Sequence, residues 1–127
     1  MKEIVRTESA PAPFQGAPYS QAIKANGFVF VAGQVGIEPD NPQPVGDGIR
    51  AQTEQTLLNL RAILEAAGSG MDKLVKTTVF LTDLDDFQGM NEVYARHVGD
   101  QPHARSTFQV AKLPPGLLVE IEAIAIE

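Results

Sequence analysis

Apolar and polar positions alternate most cleanly near the C-terminus. From Leu117 to Ile126 the residues Val119, Ile121, Ala123 and Ala125 fall on one face of an extended strand, and Glu120, Glu122, Ile124 and Ile126 on the other. A second strand pattern, Ala104 to Ala111, sets Arg105, Thr107 and Gln109 against Ser106, Phe108 and Val110. Lys112-Leu113-Pro114-Pro115-Gly116 separates the two and cannot continue either strand. Earlier in the chain, strands are predicted over Lys2–Arg6, Ser20–Ala25, Phe28–Ala32 and Lys73–Thr82, the last with Val75, Thr77, Val79 and Leu81 on one face. Asn26-Gly27 between two of them is a hairpin turn signal.

Helical spacing marks two further segments. Ile49, Thr53, Leu57, Leu60, Leu64 and Ala67 form one stripe of a helix over Ile49–Ala67, with Arg50, Gln52, Glu54, Asn59 and Arg61 on its other faces. Asp47 precedes it as an N-cap, and Gly68 stands at its end as a C-terminal stop. A second helix over Leu84–Val98, capped by Asp83 or Asp85, has the stripe Leu84, Phe87, Asn91, Tyr94 and Val98. Asn91 is a carboxamide inside that stripe, either a satisfied core residue or a ligand contact. Ala10 to Tyr19 is proline-rich and must be pinned by the rest of the fold, with Tyr19 a packing anchor or a substrate contact. Ile37 to Gly48 reads as a surface loop.

The order β-β-β-α-β-α-β-β describes a two-layer α+β sandwich, a six-stranded mixed sheet with two helices on one face, in one domain spanning residues 1–127. Two helices leave the second face bare, and it carries apolar side chains (Phe30, Phe80, Phe108, Ile124). A large exposed apolar face marks an interface, so a homo-oligomer packing sheet faces together is expected.

Composition narrows the chemistry. There are no cysteines, which removes disulfides and thiolate sites. The N-terminus lacks the apolar run of a signal peptide, and no stretch approaches the roughly 20 apolar residues of a membrane span, so a cytoplasmic protein without membrane contact is expected. Sixteen acidic against ten basic residues, without a basic cluster, argue against nucleic acid as a partner. His97 and His103 have no acid at a metal-ligand spacing, so no metal site is expected. No Walker loop, dinucleotide fingerprint or Ser/His/Asp order occurs.

What remains is a charge inside each closing strand. Arginine presents a planar fork matched to a carboxylate, and a glutamate beside it can orient or deprotonate water. Arg105 and Glu120 therefore suit a pocket between subunits that binds a small carboxylic acid and hydrolyses a bond next to it. They suit a structural ion pair equally well. Gly33 and Gly36 are turn residues, or places where backbone lies open to a ligand.

Several blocks in order resemble the RidA family, also called YjgF and UK114. They are Ala17-Pro18-Tyr19-Ser20-Gln21-Ala22, Phe30-Val31-Ala32-Gly33-Gln34, Glu65-Ala66-Ala67-Gly68, Val75-Lys76-Thr77-Thr78-Val79-Phe80-Leu81, Asn91-Glu92-Val93-Tyr94, Ala104-Arg105-Ser106-Thr107, Leu113-Pro114 and Val119 to Ala125. The resemblance implies a chorismate-mutase-like fold with the last strand central in the sheet, and a homotrimer with clefts between subunits. It implies hydrolysis of 2-enamine and 2-imine acids, such as 2-aminoacrylate, 2-iminopropanoate and 2-iminobutanoate, to 2-oxo acids and ammonia. No cofactor or metal is implied. The substrates would come from pyridoxal-phosphate dehydratases acting on serine or threonine. By the same resemblance Arg105 clamps the carboxylate, Glu120 holds or activates water, and Tyr19, Gly33, Asn91 and Thr107 line the cleft. The alternative is a non-catalytic module that binds 2-oxo or amino-acid-like carboxylates and regulates a partner enzyme. Three residues depart from the family pattern: Ala32 where serine is frequent, Thr107 where cysteine is common, and His103 in place of proline or alanine.

Overall fold

The computed structural model describes all residues, 1–127. Its strands are β1 (Glu3–Val5), β2 (Ala22–Ala25), β3 (Phe28–Val35), β4 (Ile37–Glu38), β5 (Asn41–Pro44), β6 (Leu74–Leu81), β7 (Ala104–Gln109) and β8 (Val119–Ile126). The helices are α1 (Gly48–Ala66) and α2 (Phe87–Val98). Six strands form one mixed sheet in the order β1-β2-β3-β8-β6-β7, in which only β6 and β7 run parallel. The last strand is thus central, between β3 and β6, and does not pair with its predecessor β7 at the edge. The stretch expected as a loop over Ile37–Gly48 instead holds a small separate hairpin, β4–β5. Its prolines sit in a two-stranded ribbon where few ladder bonds are required of them.

Local chemistry explains the boundaries that matter. Asn26 and Gly27 both have positive φ, 56° and 83°, the geometry of a type I′ turn matched to the twist of β2 and β3. α1 ends in a Schellman motif: Gly68 (φ 81°) donates its N–H to Glu65 O, and Ser69 donates to Leu64 O. Asp47 occupies the N-cap position of α1, but its side chain makes no capping bond.

The alternation in β8 is realised: Val119, Ile121, Ala123 and Ala125 are buried against the helices together with Val29, Val31, Val79 and Leu81. The α1 stripe from Ile49 to Ala67 is buried throughout. Three expectations are corrected. Val75 is exposed, because the β6–β8 register shifts between Leu74 and Lys76 and takes it off the face of Thr77, Val79 and Leu81. In α2 the buried residues are Gly89, Met90, Val93 and Tyr94, so the covered face is rotated from the predicted stripe; Leu84 and Phe87 are exposed and Asn91 lies at the margin. Leu84–Asp86 is a 3-10 turn, which breaks the helical phase that carried the prediction into Phe87.

The third correction is that Gln52 and Asn59, placed off the apolar stripe of α1, are nevertheless buried. Gln52 donates to Gly116 O (2.8 Å) and accepts from Leu118 N (2.8 Å). Asn59 donates to Val35 O (3.0 Å) and Ile37 O (2.8 Å). The two carboxamides therefore fix the entry to β8 and the exit from β3, the strand ends that flank Glu120 and Gly33. Gln21 does the same for the proline-rich segment: its carboxamide accepts from Thr7 N and donates to Thr7 O, Ala10 O and Pro11 O. The second face of the sheet has no helix over it and exposes Phe28, Phe30, Phe108 and Ile126.

Candidate functional site

The six residues expected at a site fall into two groups. Glu120 lies between buried Val119 and Ile121 in β8, so its side chain leaves the sheet on the face without helices. It pairs with Val35 of β3 and Phe80 of β6. Opposite it, the β3–β8 register shifts between Val31 and Gln34, and this bulge brings Gly33 under the carboxylate. A Cβ on Gly33 would lie 2.8 Å from Glu120 Cδ and closer still to Oε2. A side chain at position 33 would therefore displace the carboxyl group, the flexible end of Glu120, from its place. Phe14, Tyr19, Ala32, Gly33, Pro114 and Glu120 line one cleft of about 320 Å³. The Tyr19 hydroxyl accepts the Phe14 N–H (2.6 Å), which ties the proline-rich segment to the cleft wall. Glu120 is held above the usual carboxylate range, first by burial and then by the neighbouring charge of Glu122.

Arg105 belongs to the other side of the sheet. It is in register with Thr77 in the parallel β6–β7 pair, and Thr77 is buried toward the helices. Its guanidinium carbon lies 4.8 Å from the centre of the Tyr94 ring and 5.6 Å from that of Phe87, both on α2, and Nη1 is 4.0 Å from Met90 Sδ. Stacking of this kind holds an arginine without neutralising it. The ion pairs of the chain are Lys24–Glu127, Arg50–Glu92 and His97–Glu54, so Arg105 has no carboxylate partner within it. Asn91, Tyr94, Ala95, Pro102, His103 and Arg105 line a second cleft of about 380 Å³. Thr107, two residues along β7, shares the face of Arg105 and is partly buried.

Asn91 and Arg105 thus line one cleft, with Thr107 on the face of Arg105, while Tyr19, Gly33 and Glu120 come together at the other. A pocket holding Arg105 and Glu120 does not exist within one chain, because the sheet separates them. An ion pair between them inside the chain is excluded for the same reason. Sequence reasoning missed the side chains that support Arg105. Tyr94 is buried, and its hydroxyl meets Thr77 Oγ1 (2.6 Å) and His103 Nε2. The signal was present in His103, a titratable residue two positions before Arg105.

A two-layer α+β domain with one bare sheet face and two clefts on opposite sides of the sheet defines the class. Residues 7–127 match the sequence model of the Endoribonuclease L-PSP family. The chain belongs to this family, whose members include proteins named RutC, RidA and UK114. It is 50% identical over 125 residues to a RutC family protein of Pyrococcus horikoshii, covering 98% of both chains. It is 42% identical over 127 residues to the mouse 2-iminobutanoate/2-iminopropanoate deaminase, covering all of this chain and 93% of that one. A solved structure from Thermotoga maritima superposes with a TM-score of 0.94 at 46% identity, over all of this chain and 98% of the other. No helix is long and apolar enough to cross a membrane.

Proposed function

We propose that the protein hydrolyses 2-imino and 2-enamine acids to 2-oxo acids and ammonia, at sites completed by two copies of the chain within a homotrimer. One observation carries this reading: Arg105 is partly buried, stacked on aromatic rings and free of any carboxylate in its own chain. Such a guanidinium is an anion receptor awaiting a partner, and each charge-assisted bond to a carboxylate contributes about 1.5–3 kcal/mol. A carboxylate clamped there holds the adjacent C=N at a fixed distance from the cleft wall. Glu120 of another copy, with its raised proton affinity, takes a proton from water as the oxygen attacks the imine carbon. It returns that proton to the nitrogen, which gives the carbinolamine; the hydroxyl proton then passes by way of Glu120 to the nitrogen as C=O forms and the C–N bond breaks, so ammonia leaves and the 2-oxo acid remains. Acid–base groups placed in this way typically contribute about 10²–10⁴ in rate. The bare apolar sheet face supplies the surface on which copies join.

In this reading no cofactor or metal takes part. The substrates are small carboxylates released by pyridoxal-phosphate dehydratases, and the cytoplasm, where such enzymes act, is the compartment. The alternative, a module that binds 2-oxo acids without turnover, uses the same Arg105 clamp.

The test is the appearance of 2-oxobutyrate and ammonia from imine made in situ by a dehydratase acting on threonine. Wild-type protein should accelerate it, and Arg105→Ala should lower the gain by about a hundredfold or more. No gain over spontaneous hydrolysis sinks the enzyme. Retained 2-oxobutyrate binding by Glu120→Gln, with turnover lost, supports catalysis. Binding by the wild type without turnover supports the module.

A further inference from the structure

We propose that His103 is a positioning residue for the carboxylate clamp: it fixes the Tyr94 ring on which the Arg105 guanidinium rests, and it takes up a proton when a bound carboxylate neutralises that guanidinium. The inference rests on the clamp reading of Arg105 and adds a residue and a proton to it.

Thr77 on β6, Tyr94 on α2 and His103 just before β7 form one hydrogen-bonded chain through the buried Tyr94 hydroxyl. The imidazole and phenol rings lie 5.6 Å apart at 54°, and Arg105 covers the same phenol at 4.8 Å. Asn91, Tyr94, His103 and Arg105 all face one cleft. With His103 neutral, Nε2 accepts the Tyr94 O–H and Thr77 donates to the phenol oxygen. Every polar atom at the centre of the chain is then satisfied. A proline or alanine at position 103 would leave the Tyr94 hydroxyl without its second partner.

The groups that face His103 are the Tyr94 phenol from α2, the uncharged Thr77 hydroxyl from β6 and the Arg105 guanidinium from β7. Burial and then the Arg105 charge hold the imidazole below its usual value of 6.5. Burial, partly offset by the Thr77 bond and by Arg105, holds the phenol above its own, so it stays protonated. A carboxylate on Arg105 cancels the second influence on His103. Its proton affinity then rises, and by linkage the carboxylate binds more tightly as the pH falls through the imidazole range. The protonated ring still has a place in the chain: Nε2–H donates to the phenol oxygen and Tyr94 donates to Thr77.

The experiment uses the full-length protein and 2-oxobutyrate, with no turnover required. The imidazole of His103 is titrated by NMR in free wild type, in wild type saturated with 2-oxobutyrate, and in free Arg105→Ala. The midpoint should be lowest in free wild type and higher in both other samples. The Kd for 2-oxobutyrate should fall several-fold from about pH 7.5 to pH 5.5. His103→Gln keeps an acceptor for Tyr94 and should bind nearly as wild type at pH 7.5, but lose that pH dependence. His103→Ala removes the acceptor and should weaken binding about tenfold at pH 7.5. Glu120→Gln should leave the His103 part of the pH dependence in place, which separates it from the other acid of the site. A His103 midpoint equal in the three NMR samples, or a pH dependence that survives His103→Gln, overturns the proposal and leaves the clamp standing. No binding of 2-oxobutyrate by the wild type at any pH overturns both.

Discussion

The Arg105 half and the Glu120 half of the site are built on opposite principles. Arg105 is supported from within: two aromatic rings beneath it, a methionine sulfur beside it, and a hydrogen-bonded chain that holds one of those rings. Its charge costs little there, because aromatic faces attract cations. Glu120 is crowded by backbone at Gly33, raised in proton affinity by burial, and repelled by Glu122. The first half is the carboxylate receptor of the proposed reaction, its guanidinium already stacked in place. The second is an acid whose proton affinity burial raises, which suits it to the proton transfer of the proposed reaction. In the proposed reaction, binding and proton transfer fall to different surfaces, and a site needs both.

The largest expected effect tests that division directly. Arg105→Ala and Glu120→Gln should each be nearly inactive in imine hydrolysis. Co-refolded in equal amounts, they should recover about a quarter of wild-type turnover per site, since random assembly joins an intact Arg105 to an intact Glu120 at that fraction of subunit boundaries. Recovery at the level of the separate variants would remove one of the two residues from the site. A smaller effect is expected at Gly33. Gly33→Ala puts a methyl group where the Glu120 carboxyl now lies, so kcat should drop about ten- to a hundredfold. The Kd for 2-oxobutyrate, set by the Arg105 half, should stay within about twofold. A matching loss of binding would show that the halves are not independent.

The sequence made one of these halves more legible than the other. Alternation in β8 put Glu120 on the face away from the helices, because period two is local and four apolar partners fix its phase. β7 has no such anchor: its two faces, Arg105-Thr107-Gln109 and Ser106-Phe108-Val110, are both mixed. Its phase comes from the parallel pairing with β6, which depends on topology. At this edge the helical cover is Tyr94 and Phe87, which receive a guanidinium where a core would receive an aliphatic side chain. That use of Phe87, with the 3-10 turn at Leu84–Asp86, explains the misplaced stripe of α2. Gln52 and Asn59 were unreadable for a related reason. Their partners are backbone groups 22 to 66 residues away, so their burial has no local signature. The α1 stripe, the Asn26-Gly27 turn and the Gly68 stop needed only neighbours in sequence, and they were read correctly.

The smallest expected effect concerns stability, and it sharpens the contrast from the Glu120 side. A carboxyl whose proton affinity is raised by folding opposes folding when ionised. The penalty is present in full above the folded-state pKa, declines as the pH falls through it, and vanishes below the unfolded value near 4.5. Glu120→Gln removes the charge and keeps the shape. At about pH 7.5 the variant should melt about 2 °C above wild type, the scale of a substitution worth about 0.5 kcal/mol at a partly solvated, screened position. At about pH 4 the two melting curves should converge. Glu122→Gln should act in the same direction but less, because Glu122 is only the second influence on Glu120. A variant that melts below wild type at neutral pH, or whose advantage grows on acidification, would mean that Glu120 is held by a favourable partner, and the acid of this site would have to be sought elsewhere.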